Sequence, residues 1–187
     1  MRPAKALAPP ALSFLWRSIG LGVLATAILD VWNLTRALAF DVAFPRYDLI
    51  GRWLLHMLDG RFVHDSIRAA DPRTGELFAG WGGHYAIGVV FAMMLLGVWG
   101  LKWLHRPRII PAMLVGLATV AIPYLLMQPG MGSGVAGRLS ADPDAARMKV
   151  VVSHVVFGAG LYLAGWLMAA GSHLRSSDHR ARRRRDR

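Results

Sequence analysis

Four apolar segments of membrane-crossing length, charges kept almost wholly to the connectors and tails, and tryptophans gathered at segment ends predict an all-α integral membrane protein. The expected architecture is a four-helix bundle with both termini cytoplasmic and a long outer loop that carries a short interfacial helix. Of the 187 residues, 55% are hydrophobic and 18% charged. That length suits one domain, and the clumping of the apolar residues argues against a soluble fold.

The elements follow in order. Residues 1–17 form an N-terminal tail with Arg2, Lys5 and Arg17, and residues 18–34 the first span. A secretory signal is the competing reading here, because Ala37-Leu38-Ala39 resembles a cleavage site. The polar residues Asp30, Asn33 and Arg36 stand between it and the apolar core, where a signal peptide carries small, weakly polar ones. Residues 35–79 make the outer loop. Within it Ile50, Trp53, Leu54, Met57 and Leu58 recur at helical spacing, with Arg52, His56 and Asp59 off that face. Asp48 is placed to cap this helix and Asp59-Gly60 to end it, which predicts a helix lying on the outer leaflet.

The second span covers 80–101, the third 109–127 and the fourth 150–170, together completing a membrane domain over 18–170. Pro123 is expected to kink the third span and free the carbonyl of Thr119. The aromatic belts read as Trp32, Trp81 and Tyr124 outside, and Trp16, Trp99, Trp103 and Trp166 inside. Residues 171–187 are a basic cytoplasmic tail. With the N-terminus inside, thirteen basic residues lie on the cytoplasmic side against nine outside, as the positive-inside rule prefers.

The net charge of +11 owes much to that tail. Arg180, Arg182, Arg183, Arg184 and Arg185 beside a span read as a topology signal and a contact for anionic lipid, not for nucleic acid. The absence of cysteine removes disulfides, thiolate metal sites and cysteine nucleophiles.

Asp30, His84, Gln128 and His154 fall late, early, late and early in the four spans, hence at one end of an up-and-down bundle. Ionisable groups in apolar spans are expensive and face a bundle interior. Gly22-Thr26-Asp30, His84-Gly88-Ala92 and His154-Gly158 repeat at steps of four, with Asn33 continuing the first series. Such small-residue stripes permit close helix contact. At about 1.5 Å per residue, Asp30, His84 and His154 lie roughly 5–9 Å inside their helix ends. His56, His64 and Asp65 of the outer loop are candidates to fold over this site.

Several chemistries suit that set. Asp30 with an imidazole makes a protonatable pair of the kind used in transport. Asp30, His84 and His154 are a two-histidine, one-carboxylate set for a metal ion, and His84 with His154 an axial pair for haem. Alternatively the same groups simply bond one helix to the next. No HExxH motif and no histidine pair at i, i+4 is present, so no cofactor is named from the sequence. The glycine-rich stretch 128–137 offers backbone donors to an anion or serves as a plain connector.

The phrases Tyr47-Asp48-Leu49-Ile50-Gly51-Arg52-Trp53, Gly60-Arg61-Phe62-Val63-His64-Asp65-Ser66-Ile67, His84-Tyr85-Ala86-Ile87-Gly88, Met127-Gln128-Pro129 and His154-Val155-Val156-Phe157-Gly158 occur in this order. Together they resemble an uncharacterised family of small four-span bacterial inner-membrane proteins, a domain of unknown function. The resemblance implies four spans in a bacterial plasma membrane and assigns no activity. The functional expectation is a transport-related or accessory membrane subunit, acting as a homo-oligomer because four spans leave little room for a path. The alternatives are a metal- or haem-binding membrane enzyme and a purely structural membrane protein.

Overall fold

The computed structural model describes residues 10–185, with side chains described as far as Gly171. Its helices are α1 (Pro10–Phe40), α2 (Tyr47–Leu58), α3 (Glu76–Trp99), α4 (Ile109–Ala118), the short α5 (Gln128–Gly130) and α6 (Pro143–Arg185), with no strand among the described residues. Four stretches are long and apolar enough to cross a membrane: Pro10–Phe40, Glu76–Trp99, Ile109–Gly130 and Pro143–Gly171. Within the apolar 18-residue core of each, only 28–33% is buried inside the molecule. Trp16, Val31, Val98, Ile110, Leu125 and Trp166 are all exposed. An aqueous surround would penalise so much bare apolar surface, whereas lipid does not. This is a multi-pass membrane protein.

The first and last helices outrun the expected spans. α1 begins eight residues before residue 18 and passes unbroken through Ala37-Leu38-Ala39. α6 begins at Pro143 and stays helical to Arg185, so the tail segment continues the last helix. The side chains of Arg180, Arg182, Arg183, Arg184 and Arg185 lie outside the described residues.

Around the bundle the order is α1, α3, α4, α6, with α1 packed on α3 and α6, α6 on α4, and a lighter α3–α4 seam. Glycines set each tight crossing. A Cβ at Gly22 would meet the backbone of Val89, and one at Gly88 the hydroxyl of Thr26. A Cβ at Gly116 would lie 2.6 Å from the His154 carbonyl oxygen, and one at Gly158 3.1 Å from that of Ala112. These contacts bring backbones together as small-residue stripes do in lipid. The core they enclose is Leu21, Ala25, Leu95, Leu96, Ala112, Leu161 and Ala164. Below it, Gly100 ends α3 at φ +71°, and the 3₁₀ turn Leu101–His105 folds Trp103 against Gly165. Trp103 is therefore buried core, not an interfacial anchor.

The third span breaks where Pro123 predicts. α4 ends at Ala118, and Pro123–Met127 forms a π turn leading into α5. The Thr119 carbonyl is not left free: the Ile122 amide donates to it at 3.1 Å.

α2 seats on α3 through Gly51 and Gly80, each of which abuts backbone of the other helix. Its buried set is Tyr47, Leu49, Gly51, Arg52, Trp53 and His56, while Leu58 is exposed. The expected apolar stripe was thus a poor guide, because Arg52 and His56 turn inward where partners await them. Arg52 makes a two-pronged pair with Glu76 (2.8 and 2.9 Å) and donates to the Ala70 carbonyl at 3.0 Å. Asp48 does not cap the helix. It pairs with Arg46, while Asp59 and Gly60 close the C-terminus as expected.

Candidate functional site

The α2–α3 crossing delivers Tyr47 to Asp30, in the C-terminal half of α1. Its hydroxyl donates to Asp30 Oδ1 at 2.8 Å and lies 3.1 Å from His84 Nε2, which is itself 3.0 Å from the same Oδ1. Three elements thus converge on one carboxylate oxygen. The Tyr47 ring stacks on the His84 imidazole at 4.3 Å between centroids, and Trp81 meets Tyr47 edge-on at 4.6 Å. Burial, and then the Asp30 carboxylate, push the Tyr47 hydroxyl above its usual value, so it stays a donor. Asn33 is buried and faces that hydroxyl, and Tyr85 faces the carboxylate. The second carboxylate oxygen, Oδ2, is nevertheless buried with no hydrogen-bond partner.

Beyond His84 lies a pocket of about 100 Å³ between α1, α3 and α6. His84, Thr26 and Phe91 line one side, and His154, Ser153 and Phe157 the other. Thr26 Oγ1 is buried and unpartnered. His154 is turned toward α4, its Nδ1 2.9 Å from Thr119 Oγ1 and 3.3 Å from the Gly116 carbonyl, to which the Thr119 hydroxyl also donates. His154 therefore straps α6 to the helix just before the Pro123 break.

The structure brings Asp30, Asn33 and His84 together and sets His154 across the pocket from them. Gln128 lies apart, near Gly137, with its Oε1 buried and unpartnered. His56 and His64 bond each other instead of joining the Asp30 cluster, and Asp65 is exposed. Asp30, His84 and His154 do not close into a ligand set: among the described residues no three His, Cys, Asp or Glu side chains are grouped to hold a metal. The pocket is also well below the ~300–1,000 Å³ of drug-sized ligand sites, too small for a haem between the two imidazoles. In the glycine-rich stretch the amides of Gly132, Ser133 and Gly137 are spent on its own carbonyls and that of Met131 on the Met127 carbonyl, which argues against an anion cradle.

Tyr47 and Thr119 escape a reading of spans alone. Thr119 carries a signal, standing four residues before Pro123. Tyr47 carries only its place at the start of α2, since its role arises from how that helix docks.

No curated protein and no solved structure matches the chain. A model of proteins of unknown function, DUF2938, matches residues 19–168, nearly all of the membrane domain and every residue of the Asp30 cluster, and the chain belongs to that family.

Proposed function

We propose that this protein is a transport-related or accessory subunit of the bacterial plasma membrane, and that its Asp30–Tyr47–His84 cluster takes up and releases a proton at the outer end of the bundle. The observation that carries this reading is the free Oδ2 of Asp30, a buried carboxylate oxygen with no partner. Buried polar atoms are ordinarily bonded, and an ionisable group inside a span is a functional site by default. Its neighbours suit the task. Tyr47 and His84 both bond Oδ1 and hold the carboxylate in place, leaving Oδ2 to accept a proton. His84 also lines the pocket, so it joins that proton to whatever small solute the pocket takes.

The outer location follows from the distribution of Arg and Lys. One protomer encloses little space, which favours a homo-oligomer as the working unit, held in a bilayer whose anionic lipids meet the basic C-terminal segment. The test is proton flux across proteoliposomes under an imposed potential, read with an enclosed pH dye. Flux that Asp30→Asn abolishes, with the variant still folded, supports the reading. Flux unchanged in that variant overturns it.

His154 carries a structural reading of its own. Its bonds to Thr119 and Gly116 make it a helix strap, whatever fills the pocket.

A further inference from the structure

The second histidine cluster sits away from Asp30, in the cap that α2 and the segment after it form against α5. His56 on α2 and His64 on the segment that follows are 1% and 4% exposed. Their rings face each other with His56 Nδ1 2.8 Å from His64 Nε2. The outer nitrogens are both committed to carbonyls: His56 Nε2 lies 3.0 Å from the Asp71 oxygen, and His64 Nδ1 3.2 Å from the Gly130 oxygen.

A carbonyl oxygen only accepts, so each outer nitrogen must carry a hydrogen. Two neutral imidazoles have two ring hydrogens, and both are then used. The inner nitrogens would present lone pairs to each other at 2.8 Å. That distance is a hydrogen bond only if a third hydrogen lies between them. We infer that the His56–His64 pair is a proton-binding site: it holds one proton more than two neutral rings, shared across the 2.8 Å gap, and that proton latches the cap onto α5.

The surroundings permit one buried positive charge. Arg52 of α2 is matched by Glu76 of α3, and Arg73 pairs with Asp59. Arg61, Asp65, Arg68 and Asp71 of the connecting segment are exposed, and α5 brings no charged residue. All four ring nitrogens are bonded once the proton is in place, and the two outer ones meet the negative ends of the Asp71 and Gly130 carbonyl dipoles, which offset part of the cost of a buried charge.

The latch has a defined load. The His64 amide donates to the Gly130 carbonyl at 3.0 Å and the Ile67 amide to the Met131 carbonyl at 3.1 Å, so the connecting segment runs against α5. Trp53 lies over Gly130 and donates to the Phe62 carbonyl at 2.9 Å. Removing the shared proton leaves three contacts with two hydrogens, and one must open. The cap is then tighter when the pair is protonated and looser when it is not.

The test is a pH titration of the full chain in nanodiscs with ¹⁵N-labelled histidine, alongside hydrogen exchange at the His64 and Ile67 amides. Exposed His105 is the internal reference. The expected result is release of one proton by the two rings together, accompanied by at least a tenfold fall in the protection of both amides relative to their intrinsic exchange rates at each pH. His64→Gln supplies a neutral amide donor to His56 Nδ1, so protection should persist in that variant and lose its pH dependence. Two rings that titrate independently, or amide protection indifferent to their state, overturns the inference. A stoichiometric metal between the rings, found by elemental analysis, overturns it as well. None of these readouts depends on flux through the Asp30 cluster.

Discussion

The two histidines that face the pocket are held in opposite ways. His84 is bonded to a carboxylate and stacked under a tyrosine delivered by a docked surface helix. His154 is bonded to a hydroxyl and a backbone carbonyl beside a proline break. One wall holds a carboxylate oxygen with no partner, and the other ties two helices together through a hydroxyl and a carbonyl. Residue type alone does not separate a chemical site from a structural one in a membrane; the partner does.

The largest expected effect comes from unseating the His84 wall. Arg52→Ala removes three charge-assisted hydrogen bonds from a partly buried pair whose side chains are 9% and 18% exposed, a loss of about 3 kcal/mol once solvent screening is allowed for. Thermal melting in detergent should show it. Melting unchanged from wild type would mean that α2 is held by the glycine crossing alone.

Tyr47→Phe is next. It keeps the ring stack and removes one bond to a charged acceptor, a loss of about 1.5–3 kcal/mol. The same variant sharpens the pH comparison. A hydroxyl whose proton is held more tightly in the folded state stabilises fully below its unfolded value of about 10, and the benefit is lost as pH rises beyond it. Wild type minus Tyr47→Phe should therefore be flat near neutrality and shrink on the alkaline side. A difference that grows above pH 10 contradicts the assignment.

On the other wall, His154→Ala should cost only about 0.6–1.7 kcal/mol, the range for a hydrogen bond between membrane helices. Thr119→Val should cost a similar amount, and the double variant little more, since both remove one strap. Proton flux in the folded His154→Ala protein should stay at the wild-type level. Its loss would move His154 from strap to site.

Much of this was legible from residue order. Asp30, Asn33 and His84 stand in step with Gly22, Thr26 and Gly88, and a period of about 3.6 residues puts such groups on one face. Pro123 announced the break in the third span because proline lacks the amide that Thr119 would need. The face of α2 was misread because hydrophobic periodicity counts Arg52 and His56 as polar, and both are buried through partners supplied by Glu76, Ala70, Asp71 and His64. Asp48, well placed to cap α2, found Arg46 instead.

The sequence by itself determined four membrane-length helices and which end of the bundle gathers the polar groups, because a bilayer demands long apolar runs and makes each exception costly. Only the tertiary structure decided who bonds whom: that Tyr47 completes the Asp30 cluster, that His154 turns to Thr119, and that His56 meets His64. Those pairings depend on how a docked helix and a folded connector approach the bundle through the glycine contacts at Gly51, Gly80 and Gly132, and a close approach between distant segments leaves no period in the chain.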